Sequence, residues 1–185
     1  MAGINRALYE NRHLAKANDS LNKPCIFLSH ISIDKLAALE IGNYISRQGD
    51  IDIYLDISDD ELQDAVSAGN ALGITQFIER GLSHSSHIMC LVSPSTVTSW
   101  WVPYELGFAK NAGKRLATLK LKGGITLPAF LQISEIIQGT RSLNEYLTIV
   151  RRGLSKAAAA DNLTETLIRS SASPHPLDRY LDWNA

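Results

Sequence analysis

The sequence has only two cysteines, Cys25 and Cys90, in 185 residues. A disulfide framework needs more of them, together with a secretory leader. Residues 1–21 are mixed polar with no apolar centre, so they do not read as a leader. No apolar run approaches the roughly 20 residues of a membrane span. A surplus of one charge is also missing, with 18 Lys and Arg against 19 Asp and Glu and a net charge of -1. A nucleic-acid backbone would find no broad basic surface, so nucleic acid is not an expected partner. The cysteines sit in the apolar runs Cys25-Ile-Phe-Leu and Ile-Met-Cys90-Leu-Val and read as buried free thiols of core strands. The expectation is a reducing, cytoplasmic setting with no membrane contact.

Several catalytic signatures are absent too. There is no Gly-x-x-x-x-Gly-Lys-Ser/Thr phosphate loop and no Gly-x-Gly-x-x-Gly fingerprint. Ser29, Ser32 and Ser93 are candidate nucleophiles, but none lies in Gly-x-Ser-x-Gly, which excludes a hydrolase elbow. His84 and His87 have a spacing seen in metal sites, yet no third ligand is near, and they read as loop residues. No metal or cofactor is expected.

What is present is the material of one α/β domain: 45% apolar and 20% charged residues in a chain too short for two ordinary domains. The pattern predicts strands over 25–29, 51–55, 87–92, 116–121 and 136–137. It predicts helices over 33–47, 71–82, 99–113 and 143–154, with a shorter one over 127–133. Asp34 stands early in the first helix, where a negative charge suits the helix dipole. Ser99 is the predicted N-cap of the third, so that Pro103 falls in its first turn at no hydrogen-bond cost. Strands alternating with helices imply a parallel sheet covered on both faces. Residues 1–23 read as an N-terminal extension with a weak helical pattern around positions 7–14, and 24–154 as the domain. Residues 155–185 read as a tail that packs back on the domain or serves an interface.

Parallel sheets bind ligands at the carboxyl ends of their strands. Those ends carry Ser29 and His30, Asp56 with an acidic loop behind it, Ser93, and the start of the Trp100 helix. A phosphorelay receiver would want acidic residues where Ser29, His30 and Ser93 stand. His30 reads as a general base, a metal ligand or a loop residue closing its strand. Trp101 and Glu105 are four apart on one predicted helix and share a face. Glu105 reads either as a residue matched to the helix dipole or as a carboxylate aimed with an aromatic plane at a pocket. Trp100 and Trp101 cannot both be core on one side of one helix, so one of them frames a pocket or a contact surface.

In this order the segments resemble a family. Ile26-Phe-Leu-Ser-His30 resembles the first-strand motif of Toll/interleukin-1 receptor (TIR) domains, and Asp34 the start of their first helix. Asp56 and the acidic loop are similar to the BB-loop position, and 83–93 to the segment leading through the third strand. Ser99-Trp-Trp-Val-Pro-Tyr-Glu105 resembles the helix start that bears the family's catalytic glutamate. The resemblance spans about 24–154. The length resembles bacterial stand-alone members, among them TIR components of Thoeris-type antiphage systems.

The resemblance implies a three-layer flavodoxin-like fold with a five-stranded parallel sheet. It implies cleavage of the nicotinamide–ribose bond of NAD as substrate, giving ADP-ribose or a cyclic isomer. It casts Glu105 as the catalytic residue, with Ser29, His30, Asp56, Ser93, Trp101 and Tyr104 lining the substrate site. It further implies homo-oligomers through TIR–TIR contacts and a downstream effector that responds to a nucleotide signal. Two alternatives stay open: a non-enzymatic TIR interaction module, and an enzyme like the nucleoside deoxyribosyltransferases, which also set a glutamate against a glycosidic bond.

Overall fold

The computed structural model of the protein describes residues 2–8, 23–55, 68–99, 101–152 and 174–182. Five strands form one sheet, β1 (Cys25–Ser29), β2 (Asp52–Tyr54), β3 (His87–Val92), β4 (Arg115–Lys120) and β5 (Glu135–Gln138). Their order is β2-β1-β3-β4-β5, and every pairing is parallel. β1 and β3 are buried along their whole length, as centre strands covered on both faces must be.

Among the described residues four helices supply the covers: α1 (Lys35–Gly49), α2 (Ala71–Ser83), α3 (Trp101–Asn111) and α4 (Gly139–Arg152). α1 and α4 pack on the face that carries Leu28, Met89, Leu91 and Leu119. α2 and α3 pack on the opposite face, against Phe27, Ile88, Cys90 and Val92. The apolar stripe of α4 is Leu143, Leu147 and Val150, all buried, and each leucine contributes roughly 1.5–3 kcal/mol by leaving water. α2 approaches the sheet closely because Gly81 has no side chain. A Cβ there would lie 2.4 Å from Tyr54 Cε1, and the Tyr54 ring stacks on Phe27 at 5.7 Å.

The element bounds differ from the sequence pattern in instructive places. β2 is shorter than its apolar run: Ile51 and Leu55 are buried but lie outside the ladder. The predicted helix over 127–133 is a single 3-10 turn, Ala129–Leu131, entered through Pro128. α4 begins at Gly139, four residues before its apolar stripe. Gly139 adopts φ 77°, and the Thr140 N–H donates to the Asp182 carbonyl at 2.8 Å. The tail therefore supplies part of that helix's cap.

Both chain ends pack on the domain. Near the N-terminus the Ile53 N–H donates to the Ile4 carbonyl at 2.8 Å, and Asn5 bridges to Ile53 in parallel. Arg6–Leu8 form a 3-10 turn, and the rest of the predicted N-terminal helix lies outside the described residues. Arg6 reaches Asp52 at 3.0 Å, the His84 carbonyl at 2.8 Å and the Lys23 carbonyl at 3.1 Å. Three guanidinium donors thus find acceptors on three segments, which is how a mostly buried ion pair is held.

At the other end, Leu177 and Leu181 are buried against α1 and α4. His175 Nδ1 accepts from the Leu177 N–H at 3.1 Å, which leaves the Nε2–H to donate to Tyr44 Oη at 3.1 Å. Tyr44 in turn donates to Asn144 Oδ1 at 2.6 Å. Lys122 Nζ donates to the Asp178 carbonyl.

Candidate functional site

The carboxyl edge of the sheet gathers the chemically equipped side chains. Ser29 is the last residue of β1 and is opposed in register by Cys90 of β3, which is opposed by Thr118 of β4. Alternation along each strand turns this row toward the α2–α3 layer. Glu105 comes down on that side from the second turn of α3, whose Val102, Leu106 and Ala109 are buried in the same cluster. The Glu105 side chain is thus turned inward, with the residue only 4% exposed. A glutamate that merely matched the helix dipole would stand in solvent.

The floor beneath it is neutral. Burial pushes the Cys90 thiol well above the usual range, the Glu105 charge pushes it further, and a bond from Ser29 opposes both. Cys90 therefore remains a thiol and is no nucleophile. Ser29 is 1% exposed, and its hydroxyl makes no hydrogen bond of ordinary geometry beyond the thiol beside it. A buried hydroxyl in that state is rare and has capacity to donate to a ligand.

The other predicted site residues fall in different places. Trp101 is the first residue of α3, one helical turn from Glu105. It is 40% exposed, with its ring edge-on to Tyr104 at 6.2 Å. Tyr104 reaches sideways to α2 and donates to Glu79 Oε1 at 2.5 Å. That bond is the largest cause of its raised pKa. Ser93 donates to Asp34 Oδ2 at 2.6 Å, joining the turn after β3 to the start of α1. His30 is half-buried just beyond β1, its Nδ1 3.3 Å from the Leu28 carbonyl. Asp56, the acidic loop after it and Trp100 lie outside the described residues. Ser99, the predicted N-cap, stands two residues before α3 and closes the 3-10 turn Pro94–Thr98, with its hydroxyl 3.5 Å from the Val102 N–H, and Pro103 lies in the first turn of α3.

One member of the group was not singled out from sequence. Cys90 reads there as a core thiol, and only the strand register reveals that it borders Ser29. Its place on the face of Val92, two residues on, was the available signal.

No group of three or more potential metal ligands occurs among the described residues. His84 and His87 diverge: His84 is exposed and bonds the Arg80 carbonyl, while His87 is buried at the foot of β3. No helix among the described residues is long and apolar enough to cross a membrane.

A five-stranded parallel sheet in this order, with helices on both faces, is a flavodoxin-like α/β domain. The TIR domain family model matches residues 26–150, and the chain belongs to the TIR domain family. No curated protein matches the chain.

Proposed function

We propose that the protein cleaves the bond between nicotinamide and ribose in NAD, with Glu105 as the catalytic carboxylate. The observation that carries this reading is the inward-turned Glu105 over the Ser29–Cys90 floor at the carboxyl edge of the sheet. The family includes NAD-cleaving members and non-enzymatic ones, and a buried carboxylate at this edge favours the former.

The chemistry asks for few groups. Nicotinamide is bound to C1′ as a cationic pyridinium. When the C1′–N bond breaks, both electrons go to the ring nitrogen and the leaving molecule is neutral, so no general acid is required. The sugar passes through an oxocarbenium-like state, as in glycoside hydrolysis. A fixed carboxylate stabilises that positive charge far more in a dry site than in water. Glu105 supplies it and anchors the ribose hydroxyls. The Ser29 hydroxyl donates to the sugar, and the exposed Trp101 ring packs on the substrate. Water attacking C1′ and losing a proton gives ADP-ribose. Attack by a group at the adenosine end of the same molecule gives a cyclic isomer, if water is excluded.

The wider reading is a soluble cytoplasmic protein in bacterial antiphage signalling, whose nucleotide product is read by a downstream effector. Exposed Ile33 and Leu36 after β1 and Trp101 at the start of α3 supply apolar surface for self-association, so specific activity should fall on dilution.

Incubation of the protein with NAD, with free nicotinamide and ribosyl products resolved by mass spectrometry, tests the reading. Nicotinamide appearing with ADP-ribose or an isomer supports it. Turnover of deoxynucleosides but not NAD would replace it with glycosyl transfer between bases. Turnover of neither, over a wide concentration range, would leave a binding module.

A further inference from the structure

The carboxyl edge also carries a cation. Lys120 is the last residue of β4, opposed in register by Val92 of β3. Alternation puts it on the same face as Leu116 and Thr118, hence on the α2–α3 side with Glu105. It lies two residues beyond Thr118, so about 7 Å nearer the edge than the row of Ser29 and Cys90. The residue is half-buried, yet its ammonium makes no ion pair or hydrogen bond among the described residues. A partly buried lysine ordinarily finds a carboxylate or water.

The neighbouring lysines are used otherwise. Lys122 turns to the tail and the Asp178 carbonyl, and Lys35 is exposed at the start of α1. The walls beside Lys120 are close. The Leu121 N–H donates to the Val92 carbonyl at 2.8 Å, and a Cβ on Gly123 would meet Pro94 Cγ at 3.1 Å.

We infer that Lys120 binds the diphosphate of the dinucleotide and makes the site selective for NAD over substrates that end at the ribose. The inference rests on the reading of Glu105 given above. With C1′ held over Glu105, the 5′-linked phosphates leave from the far side of the ribose, and the outermost residue of β4 on this face is Lys120. A lysine suits this task as a point charge that needs no fixed approach angle. It touches no reacting atom, so its effect belongs in binding.

The test compares nicotinamide release from NAD and from nicotinamide riboside, which lacks phosphate, by wild type, Lys120→Ala and Lys120→Arg. Lys120→Ala should lose about 10- to 100-fold in kcat/KM on NAD, mainly through KM. It should change less than about 2-fold on nicotinamide riboside, and Lys120→Arg should keep most of the preference. Equal losses on both substrates, or no loss on NAD, overturn the assignment. ADP-ribose binding by calorimetry judges Lys120 apart from catalysis: the Ala variant should bind about 10-fold or more weakly, and an unchanged Kd overturns it. A wild type that binds ADP-ribose through Lys120 yet releases no nicotinamide would refute the role of Glu105 and uphold that of Lys120.

Discussion

Two buried polar clusters, one on each side of the sheet, are built in opposite ways, while His87 Nε2 and Tyr146 Oη beside the first are buried without a hydrogen bond. On the α1–α4 face His175, Tyr44 and Asn144 form a closed chain in which each donor meets an acceptor of matching geometry. On the α2–α3 face Ser29, Cys90 and Glu105 put a hydroxyl, a neutral thiol and a carboxylate together. The hydroxyl there is left with the weakest of partners. The first arrangement answers the demand that buried polar groups be satisfied from within. The second keeps capacity for something that arrives. Substitutions on the first face should therefore change stability and spare turnover, and those on the second should do the reverse.

The largest expected effect on the structural face is acid sensitivity. Burial at the foot of β3, helped by Arg115, lowers His87 to about 4. Its unfolded value is about 6.5. Between these the unfolded chain holds more protons, so stability falls as pH drops. The stabilisation is complete above about pH 6.5, and roughly 3 kcal/mol of it is lost by pH 4. Urea titrations at pH 7 and 4.5 should show this, and His87→Gln should flatten the difference. His175, also lowered by burial, acts in the same direction.

Next comes the tail. His175→Ala removes two hydrogen bonds and leaves the Leu177 N–H and Tyr44 Oη short of a partner. It should cost about 2 kcal/mol and several degrees of Tm. Nicotinamide release at 25 °C should stay within about 2-fold of wild type. A large loss of turnover without a fall in Tm would break the comparison from this side.

Ser29→Ala should do the opposite. Its hydroxyl satisfies little within the fold, so Tm should hold within a degree or two. Loss of a donor to the sugar should lower kcat/KM by about 10-fold. Tyr104→Phe gives the smallest effect. Its hydroxyl serves a part-exposed bond to Glu79, so stability should fall by less than about 1 kcal/mol and turnover by less than about 2-fold.

Sequence pattern carried the sheet further than the site. β1 and β3 are bounded as their apolar runs are, because Ser-His and Ser-Pro end those runs abruptly. The start of α4 was hidden. The pattern starts the helix at Leu143, yet Gly139 with its positive φ launches it, and the Asp182 carbonyl that helps cap it comes from the far end of the chain. The closed chain on His175 was hidden for the same reason, since Tyr44 and Asn144 lie on other elements and only packing unites them. In the site, the spacing of Trp101 and Glu105 put both on one stretch of helix. It could not say which would be buried. That follows from the docking of α3 through Val102, Leu106 and Ala109. Ser93 and Tyr104 have the chemistry of ligand-binding residues, and their bonds to Asp34 and Glu79, which join separate elements, could not be read from spacing.

The central claim is that one inward-facing carboxylate carries the reaction. Its most direct test is the rate of nicotinamide release from NAD by Glu105→Gln beside wild type, with Tm recorded for both. The amide keeps the shape and loses the charge. The expected rate is lower by roughly 100- to 1000-fold in a variant that still unfolds cooperatively. A folded Glu105→Gln protein that releases nicotinamide at the wild-type rate would contradict it.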